Sequence, residues 1–174
     1  MKLKKLRFQG LMLIEQEKFH DDRGYFMESY NFKKFDAQGL NYRFLQDNNV
    51  RSRKNVLRGL HFQKLFPQTK LINCLKGKIF DVCVDMRKSS STYGDWFGQE
   101  LSDVNNYQLL VPGGFAHGYY VMSDYAEISY KCTEVYHPDD EFGILWNDPD
   151  LNIKWPCEQP ILSDKDTKWP LFNY

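Results

Sequence analysis

The sequence has no long apolar run, no excess of charge of either sign and no low-complexity tract. Its 174 residues contain 23 Lys plus Arg and 23 Asp plus Glu, so the formal net charge is zero. This balance argues against a general binder of nucleic acid or membrane surfaces, because such proteins usually carry a basic excess. The basic first residues are not followed by the apolar run of a signal peptide, and no segment reaches transmembrane length. We therefore expect a cytoplasmic protein with neither nucleic acid nor membrane as a partner.

Motifs for binding metals and phosphates are also missing. The four cysteines form no CxxC pair, and the four histidines form no HxH or HxxxH pair. Metal-binding jelly rolls usually need such histidine pairs, because alternate residues of a strand point the same way. Neither GxGxxG nor a P-loop occurs. These absences predict no metal and no cofactor, and they favour reduced thiols in the core.

The secondary-structure pattern contains many short strands and few helices. It predicts one short helix over residues 32–39 and strands over residues 71–75, 78–86, 108–111, 117–122 and 127–132. Several closely spaced strands favour a sandwich or small barrel, and a jelly roll fits a single domain of residues 1–174. After Pro138, three prolines favour an ordered wrap over the barrel and argue against another sheet strand.

Residues 46–63 hold the densest group of candidate functional side chains. Strand alternation there places Arg58 and Leu60 on one face, and Leu57, Gly59 and His61 on the other. An imidazole can take a proton near neutral pH, and nearby cations suit a phosphate-bearing substrate. The segment therefore predicts an enzyme that acts on a phosphorylated small molecule.

Other candidate residues each have a structural alternative. A single buried histidine is more often structural, but His61 and His117 both lie near glycine on adjoining strands. Tyr130 shares a strand face with apolar residues, so it is either a core residue or a proton donor. Asp164 and Asp166 either belong to a solvated loop, or one of the two carboxylates orients His61. Candidate phosphate ligands, which are solvated in most proteins, are Arg23, Arg58, Lys70 and Lys165. His20 and His137 are predicted to lie at the surface.

Seven segments together resemble the dTDP-4-dehydrorhamnose 3,5-epimerase family. They follow the family's order through nearly the whole chain and read DDRGYFMESY, QDN with VLRGLHFQ, KGKIFDVCVDMRKSSSTYG, VPGGFAHGYYV, EISYKCTEVY, WNDPDLNIKWP and PILSDKD. The resemblance implies a cupin-type jelly roll, or double-stranded β-helix, that works without metal. It also implies a homodimer with shared active sites, in which an N-terminal segment contributes to the neighbouring site.

The resemblance also implies a role for each matching residue. His61 corresponds to the general base, Asp166 to its partner, Tyr130 to the acid on the opposite face, and Lys70 to the cation that stabilises the enolate. Tyr136 corresponds to an aromatic residue that stacks on thymine. The positions matching the family's contacts to the nucleotide sugar are Arg23, Phe26, Glu28, Gln46, Asn48, Arg58, Lys70, His117, Tyr136, Glu141 and Lys165.

The implied activity is inversion of C3 and C5 in dTDP-4-dehydro-6-deoxy-D-glucose, which gives dTDP-4-dehydro-L-rhamnose for deoxysugar synthesis. The alternatives are a C3-only or C5-only epimerase or a 3,4-ketoisomerase on a related sugar, and a sugar-binding jelly roll without turnover. The pair of His61 and Tyr130 favours epimerisation, because inversion needs a base and an acid on opposite faces. The chain departs from the family pattern at Asn49, Val50 and the loop of residues 64–69, which bear on sugar specificity.

Overall fold

The computed structural model describes residues 1–173, and strands dominate this part of the chain. A five-residue helix, α1 (Phe32–Asp36), and a 3-10 turn (Pro138–Asp140) accompany them. The strands are β1 (Lys2–Lys5), β2 (Met12–Glu15), β3 (Lys18–Asp21), β4 (Gly24–Met27), β5 (Gln46–Arg53), β6 (Leu57–Gln63), β7 (Lys70–Lys76), β8 (Lys78–Asp85), β9 (Trp96–Ser102), β10 (Tyr107–Val111), β11 (Phe115–Val121), β12 (Tyr125–Cys132) and β13 (Glu141–Gly143).

These strands form two large antiparallel sheets and a separate hairpin. The six-stranded sheet has the order β1-β2-β10-β7-β12-β5, and the five-stranded sheet has the order β13-β6-β11-β8-β9. Strands β3 and β4 pair only with each other among the described strands. Neighbours in a sheet are often distant in sequence, as in a jelly roll. The predicted all-β class and jelly-roll architecture are confirmed.

The space between the two sheets has an apolar half and a polar half. The apolar half contains Leu13 and Leu109 from one sheet, and Ile79, Leu101 and others from the facing sheet. Burial of such side chains supplies most of the driving force for folding. The polar half lies towards β5 and β12 on one side and β13 and β6 on the other, and it contains the candidate site.

Each sheet is also covered on its outer face. Helix α1 supplies the buried Phe35 to an apolar cluster on the six-stranded sheet. The C-terminal segment, residues 144–173, supplies Leu151 and Phe172 to a second cluster on the five-stranded sheet. The buried carboxylate of Asp148 accepts hydrogen bonds from the backbone N–H groups of Leu151 and Phe172, and so ties two parts of this segment together. We call residues 144–173 the C-terminal wrap.

The predicted elements match the observed ones closely in the middle of the chain. The strand predicted over residues 78–86 is β8, one residue shorter. The helix predicted over residues 32–39 ends earlier, at Asp36, and Gly39 follows it with a φ of +77°. The expectation of no further strand after Pro138 was wrong, because β13 pairs with β6. The three prolines lie further along the chain, in the C-terminal wrap, and there they are consistent with the absence of regular strands.

The predicted alternation along β6 was also wrong. His117 of β11 pairs with His61, whereas Tyr119 pairs with Arg58, so β6 contains one extra residue between these pairs. A bulge of this kind reverses the facing of the side chains that follow it. Consequently, Arg58 and His61 line the same cavity, and Leu60 packs in the outer cluster.

Two further observations concern the cysteines and the helices. Cys74, Cys83 and Cys132 are buried and free, as predicted for core thiols, and Cys157 is free and half-buried. Among residues 1–173, no helix is long and apolar enough to cross a membrane.

Candidate active site

Two adjoining cavities open between the polar halves of the sheets. Their volumes are about 300 and 220 Å³. We call the larger the outer cavity, since it is lined by the exposed Tyr136, and the smaller the inner cavity. His61, Lys70 and Tyr130 line both. The site is therefore centred on these three side chains, where the two cavities meet.

His61 is held by a carboxylate from the C-terminal wrap. Its Nε2 lies 2.5 Å from Oδ1 of Asp166, a residue that is only 3% exposed. Burial raises the pKa of Asp166, but the hydrogen bond and charge interaction with His61, together with hydrogen bonds from Ser163 and Trp169, outweigh it and lower this pKa below its usual value. Asp166 therefore stays ionised and can stabilise a positively charged imidazole. The second nitrogen of the ring, Nδ1, is left for other contacts.

Tyr130 and Lys70 reach the site from the six-stranded sheet. Tyr130 lies on β12 and packs at the edge of the apolar core, and burial raises its pKa to about 12. The phenol is therefore protonated at neutral pH, as a proton donor must be. Lys70 begins β7, and burial lowers the pKa of its ammonium group, while Cys132, Glu141 and Asp81 counteract this shift.

Glu141 connects three other side chains of the site. Its Oε2 accepts hydrogen bonds from the hydroxyl group of Tyr136, at 2.5 Å, and from the ammonium group of Lys165. Its Oε1 lies 3.6 Å from Nδ1 of His61. Burial would raise the pKa of Glu141, but the bonds from Lys165 and Tyr136 lower it below its usual value. Strand β13, absent from the predicted elements, positions this carboxylate.

The two amides on β5 form a chain along the outer cavity. Gln46 donates to Oδ1 of Asn48 at 3.0 Å, and its own Oε1 accepts from the backbone N–H of Tyr136 at 2.8 Å. Asn48 in turn donates to the sulfur of Cys132 at 3.8 Å. These contacts fix the orientation of both amides and hold the segment that carries Tyr136.

Arg58 and His117 line the inner cavity, and each has a partner behind it. Arg58 donates from Nε to the hydroxyl group of Ser52 at 3.0 Å. His117 places Nε2 at 2.9 Å from both carboxylate oxygens of Asp81, which is fully buried. Asp81 was not predicted as part of the site. Its position as a carboxylate within an apolar strand was the signal that could have identified it.

Three predicted site residues lie elsewhere. Arg23 and Phe26 belong to the β3–β4 hairpin and its turn, and Glu28 follows the hairpin. The side chain of Arg23 is 90% exposed, and Phe26 is 69% exposed. Glu28 is bonded to Lys34 and Asn31. Within this chain none of the three lines either cavity.

Further residues of the site had no evident signal in the sequence. The ring of Trp169 meets that of His61 edge-on with centroids 5.8 Å apart, and its Nε1 donates to Asp166 at 3.4 Å. Gln63 bridges the carbonyl groups of Phe66 and Val135 beside the outer cavity. His137, predicted to lie at the surface, is half-buried and stacks on Phe66 with centroids 4.0 Å apart.

Among residues 1–173 no group of three His, Cys, Asp or Glu side chains could hold a metal ion.

Comparisons with known proteins point to one family. The family model described as dTDP-4-dehydrorhamnose 3,5-epimerase matches residues 5–174. The chain is 50% identical over 168 residues to the dTDP-4-dehydrorhamnose 3,5-epimerase of Methanothermobacter thermautotrophicus, covering 95% of this chain and 91% of the relative.

Solved structures give the same result. The dTDP-4-dehydrorhamnose 3,5-epimerase of Bacillus anthracis, with TDP and PPi bound, superposes with a TM-score of 0.96 at 47% identity, covering 98% of this chain and 99% of that one. The dTDP-6-deoxy-D-glucose-3,5-epimerase of Legionella pneumophila, in complex with dTDP-4-keto-L-rhamnose, superposes with a TM-score of 0.94 at 46% identity. That match covers 98% of this chain and 92% of the other.

Proposed function

The chain belongs to the dTDP-4-dehydrorhamnose 3,5-epimerase family, and from this membership we propose how its own residues invert C3 and C5 of dTDP-4-dehydro-6-deoxy-D-glucose to give dTDP-4-dehydro-L-rhamnose. One observation supports the proposal most strongly. A histidine paired with a carboxylate, a protonated phenol and a half-buried lysine surround the junction of the two cavities. A base, an acid and a cation are the three groups that the reaction needs.

His61 is the proposed base. A C–H bond next to a ketone is acidic enough for an imidazole only if the resulting enolate is stabilised. His61 takes the proton, and the electron pair of the C–H bond moves into the enolate. The ionised Asp166 then stabilises the imidazolium, which is otherwise costly in a half-buried site.

Lys70 is the proposed stabiliser of the enolate oxygen. Burial lowers the pKa of its ammonium group because charge is poorly solvated there, so a developing negative charge nearby is favoured. A fixed charge already in place needs no reorganisation when the enolate forms. With the ketone oxygen beside Lys70, C3 and C5 would lie on either side of the carbonyl carbon. Both would then be within reach of the same base, His61.

Tyr130 is the proposed acid. It lies on the six-stranded sheet, whereas His61 lies on the facing five-stranded sheet, so a sugar between them presents opposite faces to the two groups. Return of a proton from Tyr130 to the enolate carbon inverts the configuration. Solvent then restores the proton on the phenol and removes one from His61, so no redox change occurs.

The outer cavity is the proposed site for the nucleotide. The ring of Tyr136 is 48% exposed and available for stacking on a base, as aromatic faces commonly are. The ammonium group of Lys165 reaches Glu141 at the wall of the outer cavity and can pair with the phosphates, whereas Arg58 lines the inner cavity and can contact the sugar. Lys165 is bonded to Glu141, so pyrophosphate would compete with this carboxylate for the ammonium group.

A homodimer with shared sites is part of the proposal. The β3–β4 hairpin has no strand neighbour in the described chain, and it exposes Phe19, Tyr25 and Phe26 by 56%, 55% and 69%. Exposed apolar side chains in such number favour a protein interface. Docking of the hairpin beside the partner's outer cavity would bring Arg23, Phe26 and Glu28 to the nucleotide.

We also propose that residues 1–174 form a single domain that works in the cytoplasm. Buried free thiols at Cys74, Cys83 and Cys132 fit a reducing compartment. Tyr174, the last residue of this domain, lies outside the described residues.

Solvent exchange tests the proposed function directly. Incubation of dTDP-4-dehydro-6-deoxy-D-glucose with the protein in D2O should give dTDP-4-dehydro-L-rhamnose with deuterium at C3 and C5. NMR measures the deuterium at each carbon. His61→Ala should lose exchange at both carbons, by roughly a thousandfold or more if base catalysis and positioning are both removed. Unchanged exchange in a correctly folded His61→Ala would show that another group is the base.

A further inference from the structure

One side chain of the inner cavity differs in chemistry from the rest. The lining is built from charged groups, imidazoles, hydroxyl-bearing side chains and glycine backbone, and Val50 is its one aliphatic side chain among the described residues. A wall of this composition suits the hydroxyl groups of a sugar. An isolated aliphatic patch needs a different part of the ligand to cover it, because apolar surface is stabilised by leaving water.

Strand register fixes Val50 close to the reacting groups. Along β5, Val50 is half-buried and faces the cavity, whereas its neighbour Asn49 is exposed on the other face. Val50 pairs with Ile128 of β12, and Asn48 pairs with Tyr130, so Val50 is the diagonal neighbour of Tyr130 on the same face. Diagonal neighbours in an antiparallel pair lie about 7–8 Å apart, within reach of a small ligand group between them.

We propose that Val50 packs against the C6 methyl group of the bound sugar and so selects 6-deoxy sugars over those with a 6-hydroxyl group. The inference rests on the proposed function, which places the sugar at the junction of the cavities with Tyr130 facing the carbons that are inverted, C5 among them. The methyl group is the one purely apolar substituent of such a sugar, and it is attached to C5. A hydroxyl group in the same place would lose its water and gain no partner from the valine.

Binding of two non-reacting ligands tests this inference. dTDP-6-deoxy-D-glucose and dTDP-D-glucose differ only in the hydroxyl group on C6, and neither has a ketone, so calorimetry measures binding without turnover. The wild-type protein should bind the 6-deoxy ligand more tightly by roughly ten- to hundredfold, the usual range for one small group in an apolar pocket. Val50→Thr keeps the shape and introduces a hydroxyl group, so this preference should fall towards equality.

Two variants and one ligand serve as controls. Asn49→Thr makes a similar change on the opposite face of β5 and should keep the wild-type preference. Val50→Ala, which removes the wall without adding a polar group, should also lower the preference and replaces Val50→Thr if that variant does not fold. dTDP alone should bind equally to the wild type and all variants, because Val50 does not contact the nucleotide in the proposed arrangement.

The outcomes separate the inference from the proposed function. Equal binding of the two sugars by the wild type, or an unchanged preference in the folded Val50 variants, would overturn the role of Val50 while dTDP binding persists. Failure of the wild type to bind dTDP at all would instead overturn the proposed function on which the inference rests. A preference that falls in the Val50 variants and persists in Asn49→Thr supports the inference.

Discussion

Replacement of Asp166 by asparagine removes one charge from the candidate site and keeps the shape of the side chain. The lost interaction is the 2.5 Å contact between Oδ1 of Asp166 and Nε2 of His61. A hydrogen bond to a charged group contributes about 1.5–3 kcal/mol. This contact matters most when His61 carries the abstracted proton, so the loss falls mainly on the transition state. Since each 1.36 kcal/mol changes a rate tenfold, kcat should fall by roughly 10- to 150-fold.

Steady-state kinetics with dTDP-4-dehydro-6-deoxy-D-glucose measures this loss. KM should change little, because Asp166 reaches the sugar only through His61 in the proposed arrangement. Asp164→Asn is the matched control, since Asp164 belongs to the same loop but is exposed. It makes the same chemical change without touching His61, so its kcat should equal that of the wild type.

The same variant has an expected signature in stability. The pKa of Asp166 is lowered in the folded protein, so the ionised carboxylate contributes stability above its unfolded pKa of about 4 and loses it as pH falls through the folded value. The difference in unfolding free energy between wild type and Asp166→Asn should therefore be larger at neutral pH than in acid. Urea unfolding at several pH values measures it.

Two results would refute this reasoning. A wild-type kcat in Asp166→Asn would show that His61 works without the carboxylate or is not the base. An equal loss in Asp164→Asn would show that the effect comes from the charge of the loop and not from the contact with His61.

Three other perturbations test the remaining parts of the proposal. Tyr130→Phe should keep deuterium exchange into the substrate but lose inversion, as read by NMR, because only the donor on the far face is removed; inversion at the wild-type rate would make Tyr130 a core residue. Mixed Arg23→Ala and His61→Ala chains should regain activity through one intact site per heterodimer, and no gain despite confirmed chain exchange would count against shared sites. Dialysis against a strong chelator should leave activity and thermal stability unchanged, whereas a loss reversed by a divalent ion would contradict metal-free chemistry.

Sequence reasoning located the central strands well because their signals are local. Alternation of apolar residues and flanking turn residues predicted β8 to within one residue, and the same signals placed β7, β10, β11 and β12. The first four strands were not predicted, and neither were β5, β9 and β13. Strands β1 to β4 are four residues each, and β3 and β4 are largely exposed, so they carry no clear alternation between buried and exposed positions.

The predictions for the site were wrong or incomplete where the geometry depends on distant parts of the chain. The bulge that brings Arg58 and His61 into one cavity follows from the register of β6 against β11, which local alternation does not reveal. Glu141 is positioned by β13, and Trp169 lies beside His61 only because the wrap folds back over the sheet. The contact of Asp166 with His61 spans 105 residues, so it was expected from family resemblance and from the plausibility of a carboxylate near a base.

The C-terminal wrap gives this molecule two parts that can change at different rates over evolutionary time. Strands β6, β7 and β12 hold His61, Lys70 and Tyr130, and each is hydrogen-bonded on both sides, so insertions there would disrupt a sheet. Asp166 belongs to a segment outside the sheets, and connecting segments tolerate changes in length and sequence far better. Sequence changes in the wrap can therefore alter how His61 is held and the shape of the inner cavity, while the jelly roll stays the same.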